Sequence, residues 1–200
     1  MADRFVLGVD LDGVVADFYG GLRPIAAEWL GVPESTLTSN VSYGLPEWKL
    51  DSVGDYKDLH RFAVTQRGLF LNLRPVEGAP SSLRRLSQKD VRIRIITHRL
   101  YIKWFHAEAV RQTTEWLETH GIPYWDLCFM REKDAVGADL YLEDAPGNVE
   151  QLRRSGHETI VFTNSTNRQG AAPRADTWTQ VEDLVLQAQS KWKAGRGTAA

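Results

Sequence analysis

The segment Phe5-Val-Leu-Gly-Val9 is apolar without interruption and stops at Asp10. A continuous run of this kind suits a strand covered on both faces of a parallel sheet, where neither side meets water. Four further runs share the character: Val91 to Ile96, broken only by Arg92 and Arg94, then Trp125 to Met130, Leu140 to Leu142 and Thr159 to Phe162. Between them the apolar positions change to helical spacing. Ile102, Phe105, Ala109, Thr113 and Trp116 fall on one face before Gly121 and Pro123 end the pattern. A second helix follows Pro146 with Val149 and Leu152 inward, ending near Gly156, and Val181, Leu184, Val185, Ala188 and Trp192 form a stripe near the C-terminus. Thr179 and Glu182 have the spacing of a capping box for that last helix. Residues 194–200 are expected to be disordered.

Strands alternating with helices predict right-handed crossovers and an α/β fold: a doubly wound, Rossmann-like parallel sheet that binds ligands beyond the carboxyl ends of its strands. The stretch from Phe18 to about Leu73 departs from the alternation. It is helical near Leu22 to Leu30 and Lys57 to Thr65, with Pro33, Pro46 and Ser/Thr/Asn-rich turns between. We read it as a small helical cap inserted after the first strand, so that residues 1–17 and 74–200 form the core and residues 18–73 the cap.

Composition narrows the function. With 42% hydrophobic and 25% charged residues the chain is ordinary globular protein. Its net charge of -2 supplies no basic field to neutralise a row of phosphates, which argues against polymeric nucleic acid as a partner. The single cysteine, Cys128, can form no intramolecular disulfide, and Leu127 and Phe129 beside it predict a small buried core residue. The apolar run at Phe5 is too short for a signal-peptide core or a membrane span, so a cytoplasmic protein without membrane contact is expected.

Candidate chemistry gathers where the apolar runs end. Strand alternation aims Asp10 and Asp12 to one side and Leu11 to the other, and Gly13 lets the backbone approach a ligand. Two carboxylates in one pocket repel unless a cation or a shared proton relieves them. Asp-x-Asp-Gly has a calcium-loop reading too, but Val14, Val15 and Ala16 supply none of the further oxygens. Both aspartates could also be turn and cap residues. Thr97 places a hydroxyl at the end of the second run, able to donate to a phosphate oxygen or to cap, and His98 could touch a ligand, cap a helix or lie exposed. Lys133 follows the third run, with a reach that could bring its ammonium to the aspartates. Leu140 to Leu142 delivers Glu143 and Asp144 together, and Asp144 could cap the helix at Pro146 as well as bind metal. Asp139 is expected to serve as a hydrogen-bonding residue at the start of that strand.

The order Asp10/Asp12, Thr97, Lys133, Glu143/Asp144, each after a strand, resembles the four motifs of the haloacid dehalogenase-like (HAD) hydrolase superfamily. Within it the chain is similar to the 5′(3′)-deoxyribonucleotidase family, through Val9-Asp-Leu-Asp-Gly-Val-Val-Ala-Asp-Phe18, Leu69-Phe-Leu-Asn-Leu-Arg-Pro-Val-Glu-Gly78 and Phe162-Thr-Asn-Ser-Thr-Asn167. The resemblance implies that Asp10 attacks phosphorus, that Asp12 protonates the leaving oxygen and later activates water, and that Thr97 and Lys133 hold the phosphoryl group; His98, next to Thr97, is a further candidate phosphate contact. It implies Mg²⁺ held by the Asp10 carboxylate, the Asp12 main-chain carbonyl and Asp144, with Glu143 acting through water or from behind these ligands. An acid at position 12 fits oxygen–phosphorus cleavage, since superfamily members that cleave carbon–phosphorus or carbon–halogen bonds lack one there. Two positions depart from the family pattern: His98, where relatives often have a small polar residue, and Glu143, where they have aspartate.

The expected substrate is a small phosphorylated molecule, a nucleoside 5′- or 3′-monophosphate and chiefly a deoxyribonucleotide. The cap and its junction carry Phe18, Tyr19, Trp29, Tyr43, Trp48, Tyr56, Phe62 and Phe70. Most of these must pack the cap itself, and Phe18 and Phe70, flanking the junction with the core, are the expected base contacts. The same core could instead serve a sugar phosphate, or hold Mg²⁺ and a nucleotide without catalysis. The resemblance also leaves room for a homodimer.

Overall fold

The five apolar runs lie side by side as strands β1 (Val6–Val9), β2 (Arg92–Thr97), β3 (Asp126–Phe129), β4 (Leu140–Glu143) and β5 (Thr159–Phe162), all paired in parallel. The computed structural model describes residues 4–50, 53–168 and 172–197. A sixth strand, β6 (Arg174–Ala175), extends the sheet beyond β5. Two residues cannot display a hydrophobic period, so no pattern announces it. The strand order is β3-β2-β1-β4-β5-β6. That order reverses direction between β1 and β4, and the carboxyl ends of those two strands flank the crevice in which doubly wound sheets bind ligands.

Helices cover both faces. Neighbouring residues Ile95 and Ile96 point into separate apolar clusters: Ile95 joins Leu7, Val9, Ile93, Leu83 and Val181, while Ile96 joins Tyr141 and Leu152. The second cluster is closed by α6 (Pro146–Arg154), the first by α4 (Ala79–Gln88), α5 (His106–Thr119) and α7 (Trp178–Gly197) together with residues of the β1–α4 segment. Cys128 is half-buried against the Ile96 cluster rather than fully inside the core, because β3 is the edge strand and one side of it stays open.

The β1–α4 segment holds α1 (Phe18–Leu30), α2 (Val53–Arg67) and the short α3 (Leu69–Asn72), with no described strand among them. The Asp17 side chain caps α1 by accepting from the Gly20 N–H at 3.0 Å, and Gly31 ends it with φ of 66°. The segment leaves and rejoins the core side by side: the Asp17 N–H donates to the Arg74 carbonyl at 2.8 Å and the Val76 N–H to the Val15 carbonyl at 2.8 Å.

Several boundaries differ from the sequence expectation. α5 begins at His106, so Ile102 and Phe105 lie ahead of it although both are buried; Trp104, at φ of 85°, turns the chain out of the helical path. α7 begins at Trp178, and its start is tied by Thr177 and Gln180 rather than Thr179 and Glu182. The Thr177 hydroxyl accepts from the Gln180 N–H at 3.3 Å, and the Gln180 side chain accepts from the Asp176 N–H at 2.7 Å. Glu182 instead pairs with Arg85 of α4 at 2.7 Å. Residues expected to be disordered continue α7 through Gly197, with Arg196 over the Trp192 ring at 4.5 Å, while residues 198–200 lie outside the described residues. No described helix is long and apolar enough to cross a membrane.

Candidate active site

Asp10 follows the last residue of β1, and its N–H donates to the Leu142 carbonyl of β4 at 3.0 Å, so the backbone itself draws the two strand ends together. Beyond it the chain folds back tightly. The N–H groups of Val15 and Ala16 both reach the Leu11 carbonyl, at 2.9 and 2.8 Å. Gly13 sits in this loop at φ of 84°, and a Cβ there would come within 2.2 Å of Asp144 Oδ2. Its missing side chain is what admits Asp144 to the site.

Carboxylate oxygens of Asp10, Glu143 and Asp144 lie within 4.8 Å of one another, and all three residues are buried. Lys133, on a short 3₁₀ turn after β3, brings Nζ to 2.8 Å from Asp10 Oδ1 and 2.6 Å from Glu143 Oε2. Glu143 Oε1 also accepts from the N–H groups of Asp144 and Ala145, at 3.2 and 3.1 Å. One ammonium therefore faces three acids. Burial, and next the Glu143 charge, push Asp10 up to about 8 despite the pull of Lys133. Burial followed by Glu143 and Asp10 likewise raises Asp144 well above the usual carboxylate range, with Asn164 and Lys133 opposing. Burial works to raise Glu143 as well, but Lys133 and the Ala145 amide hold it below its ordinary value. For Lys133 burial opposes the charge, and Asp10 and Glu143 nonetheless hold its value above that of a free lysine. A cluster so short of positive charge suits a hard divalent cation with oxygen ligands.

Thr97 ends β2, fully buried, with its Oγ1 unpartnered among the described residues. A buried hydroxyl left without a partner is costly, which points to a group that arrives with the ligand. His98 lines the cavity beside it and packs at a tilt against Tyr101, ring centres 5.1 Å apart; burial, then Lys133 and Arg131, lower its pKa. Asp12 does not join the acidic cluster through its side chain. Its carboxylate is gripped by Arg99, Nε to Oδ2 at 3.0 Å and Nη2 to Oδ1 at 2.7 Å.

A cavity of about 600 Å³ opens over these groups, with Asp10, Asp12, Lys133 and Asp144 at its floor and aromatic residues on its walls. Phe18 lines it, as do Tyr19, Tyr43, Tyr56, His60 and Tyr101. Phe70 is brought near but not into it: fully buried, it lies under the Arg99 guanidinium, 4.1 Å from ring centre to Cζ, and against His60. Asp139 holds the base of the sheet, accepting from the Val6 N–H at 2.7 Å and from Trp192 Nε1 at 3.0 Å.

Four residues of the site have no assigned role in the sequence reading. Asn164 Nδ2 donates to Asp144 Oδ2 at 2.6 Å and to the Gly13 carbonyl at 3.3 Å, while Asn167 Nδ2 donates to the Asp144 carbonyl at 2.8 Å. Both fall in the Phe162 to Asn167 block that carries the family resemblance, and that block is the signal that could have marked them. Arg99 and His60 carry no such signal, since a lone arginine in a loop and a lone histidine in a helix are by default exposed or packed.

The sheet order, the acids at the β1–β4 crevice and the lysine facing them match the arrangement that the resemblance to HAD hydrolases implies. A HAD-superfamily hydrolase of subfamily IA from Geobacter sulfurreducens shares the fold with a TM-score of 0.55 at 16% identity, over 91% of this chain and 96% of that one. The chain belongs, more narrowly, to the family described as 5′ nucleotidase, deoxy (Pyrimidine), cytosolic type C, whose model matches residues 4–191. A protein of Chlorobaculum tepidum, provisionally named 5′(3′)-deoxyribonucleotidase, is 57% identical over 92% of this chain and 91% of its own. The cytosolic-type 5′(3′)-deoxyribonucleotidase of Homo sapiens is 28% identical over 88% of this chain and 92% of its own.

Proposed function

We propose that this protein is a Mg²⁺-dependent phosphatase of nucleoside monophosphates, with deoxyribonucleotides as its main substrates. The convergence of Asp10, Glu143, Asp144 and Lys133 at the floor of an aromatic-walled cavity carries the reading. A volume of about 600 Å³ suits a ligand of nucleotide size. The family's own activity points the same way, and a cytoplasmic location is in keeping with the cytosolic type of relative. We take residues 18–73 as a cap whose aromatic side chains hold the nucleoside part, Phe18 foremost.

The metal fits the residues present, since the buried cluster offers only hard oxygen donors and lacks positive charge. The Asp10 carboxylate, the Asp12 main-chain carbonyl and Asp144 would hold it, with Glu143 acting through water. When bound, Mg²⁺ supplies charge neutralisation on the transferring phosphoryl group. Asp10 attacks phosphorus, forming an aspartyl-phosphate as the bond to the nucleoside oxygen breaks. Asp12 hands its proton to that oxygen. In the second half a water attacks the same phosphorus, Asp12 takes the proton back, and Asp10 is released with inorganic phosphate. Lys133 pulls Asp10 toward its ionised form against the effect of burial and, with the Thr97 hydroxyl, steadies the phosphoryl oxygens. Two modest steps replace one difficult displacement.

Phosphate release from a panel of deoxy- and ribonucleoside 5′- and 3′-monophosphates and sugar phosphates, with Mg²⁺ present, tests the substrate. Turnover confined to sugar phosphates would overturn the nucleotide assignment. Asp10→Asn should lower turnover by at least roughly 10³-fold with an unchanged melting curve, and retained turnover would remove Asp10 from its role.

A further inference from the structure

Arg99 is wholly buried at its side chain, whereas its partner Asp12 is 24% exposed at the cavity. Burying a guanidinium is expensive and seldom justified by the pair's own energy, so the question is what the pair holds still. Arg99 engages both Asp12 oxygens in a fork, and its remaining terminal nitrogen, Nη1, donates to the Thr113 hydroxyl at 3.0 Å. That hydroxyl is fixed in turn on the Ala109 carbonyl of α5 at 2.6 Å. Below, the guanidinium rests on the Phe70 ring. With one face, one edge and the fork all occupied, the group cannot turn, and the fork dictates the plane of the Asp12 carboxylate. Among the described residues, Asp12 is the only acid paired with Arg99.

We infer that Arg99 is a positioning residue for proton transfer: it aims Asp12 at the leaving-group oxygen of the phosphate ester. This rests on the acid–base role proposed for Asp12 above. Each carboxylate oxygen engaged by the fork keeps a second lone-pair direction, and one of these carries the proton that passes to the ester oxygen as its bond to phosphorus breaks. Arg99 itself neither gains nor loses a proton. Position in the chain adds a link, because Thr97 and Arg99 leave the same strand end two residues apart. The residue proposed to hold the phosphoryl group and the one that aims the acid are therefore set by a single piece of backbone.

The dependence on leaving group distinguishes aiming from mere support. A nucleoside alkoxide is a poor leaving group and needs the proton, whereas p-nitrophenolate departs with little help. kcat/KM reports only the steps through the first phosphoryl transfer, so slow hydrolysis of the aspartyl-phosphate does not confuse the comparison. Arg99→Met and Arg99→Lys should each lower kcat/KM for a deoxynucleoside monophosphate by roughly 10² or more, and for p-nitrophenyl phosphate by less than about 5-fold. Lysine restores the charge but cannot form the fork, so recovery of nucleotide turnover in Arg99→Lys would overturn the proposal. An equal loss on both substrates, or no loss, would also overturn it. Should Arg99→Met fail to fold, Thr113→Val, which frees one edge of the guanidinium, must show the same split in smaller measure, and an equal loss there counts against it. Asp12→Asn separates the two levels: if it spares nucleotide turnover, the role given to Asp12 fails and this inference with it. If Asp12→Asn shows the split and the Arg99 and Thr113 variants do not, only the positioning role of Arg99 falls.

Discussion

His60 of α2 should make the protein's stability fall with acid in a way that a single substitution removes. It is 8% exposed, ringed by Phe18, Tyr56, Phe70 and Phe105 at 5.5 to 6.1 Å, and its Nδ1 has no partner among the described residues. Burial lowers its pKa from 6.5 to about 4; the Asp12 charge opposes the shift and Arg99 reinforces it. Since the folded value lies below the unfolded one, the unfolded chain binds a proton between pH 6.5 and 4 that the native state refuses. Stability contributed by the neutral ring is thus complete above pH 6.5 and is lost as pH falls through that window. Between those two values the loss comes to about 3 kcal/mol, equivalent to roughly 6–12 °C in Tm for a chain of this size. Urea melts of the wild type and His60→Phe at pH 7, 6, 5 and 4 isolate the contribution, because every other titrating group is common to both. The wild type should lose stability more steeply, the two curves diverging by about 3 kcal/mol at pH 4. Parallel curves would refute the claim that the ring of aromatic side chains around His60 keeps this imidazole neutral.

Two further outcomes follow from the acidic loops. Gly13→Ala should lower kcat by at least about 10²-fold, because a Cβ 2.2 Å from Asp144 Oδ2 must push that carboxylate off its position, with a further ~1–2 kcal/mol of backbone strain visible in urea melts; normal turnover would deny the close approach. Adding Mg²⁺ to chelator-treated protein should raise Tm, by the equivalent of about 2.7 kcal/mol at a hundredfold excess over Kd. Asp144→Asn should erase that rise, and a response unchanged in the variant would place the cation elsewhere.

The sequence alone determined the sheet and most of the acids. Continuous apolar runs are forced on strands that helices cover from both sides, so β1 to β5 could be read from Phe5, Val91, Trp125, Leu140 and Thr159 onward, and the residues that break those runs at their carboxyl ends were the candidates for chemistry. Local pattern did not reach β6, the start of α7 or the path around Trp104, where two paired residues, a cap two positions away and one left-handed residue decide the outcome. Tertiary structure alone decided what stands behind the acids. Asn164 reaches Gly13 and Asp144 across 151 and 20 residues of chain, and Arg99 reaches Asp12 across 87. It also put Phe70 beneath Arg99 instead of on the cavity wall. Such contacts depend on which loops the packed sheet brings together, and no periodicity within a single segment encodes that meeting.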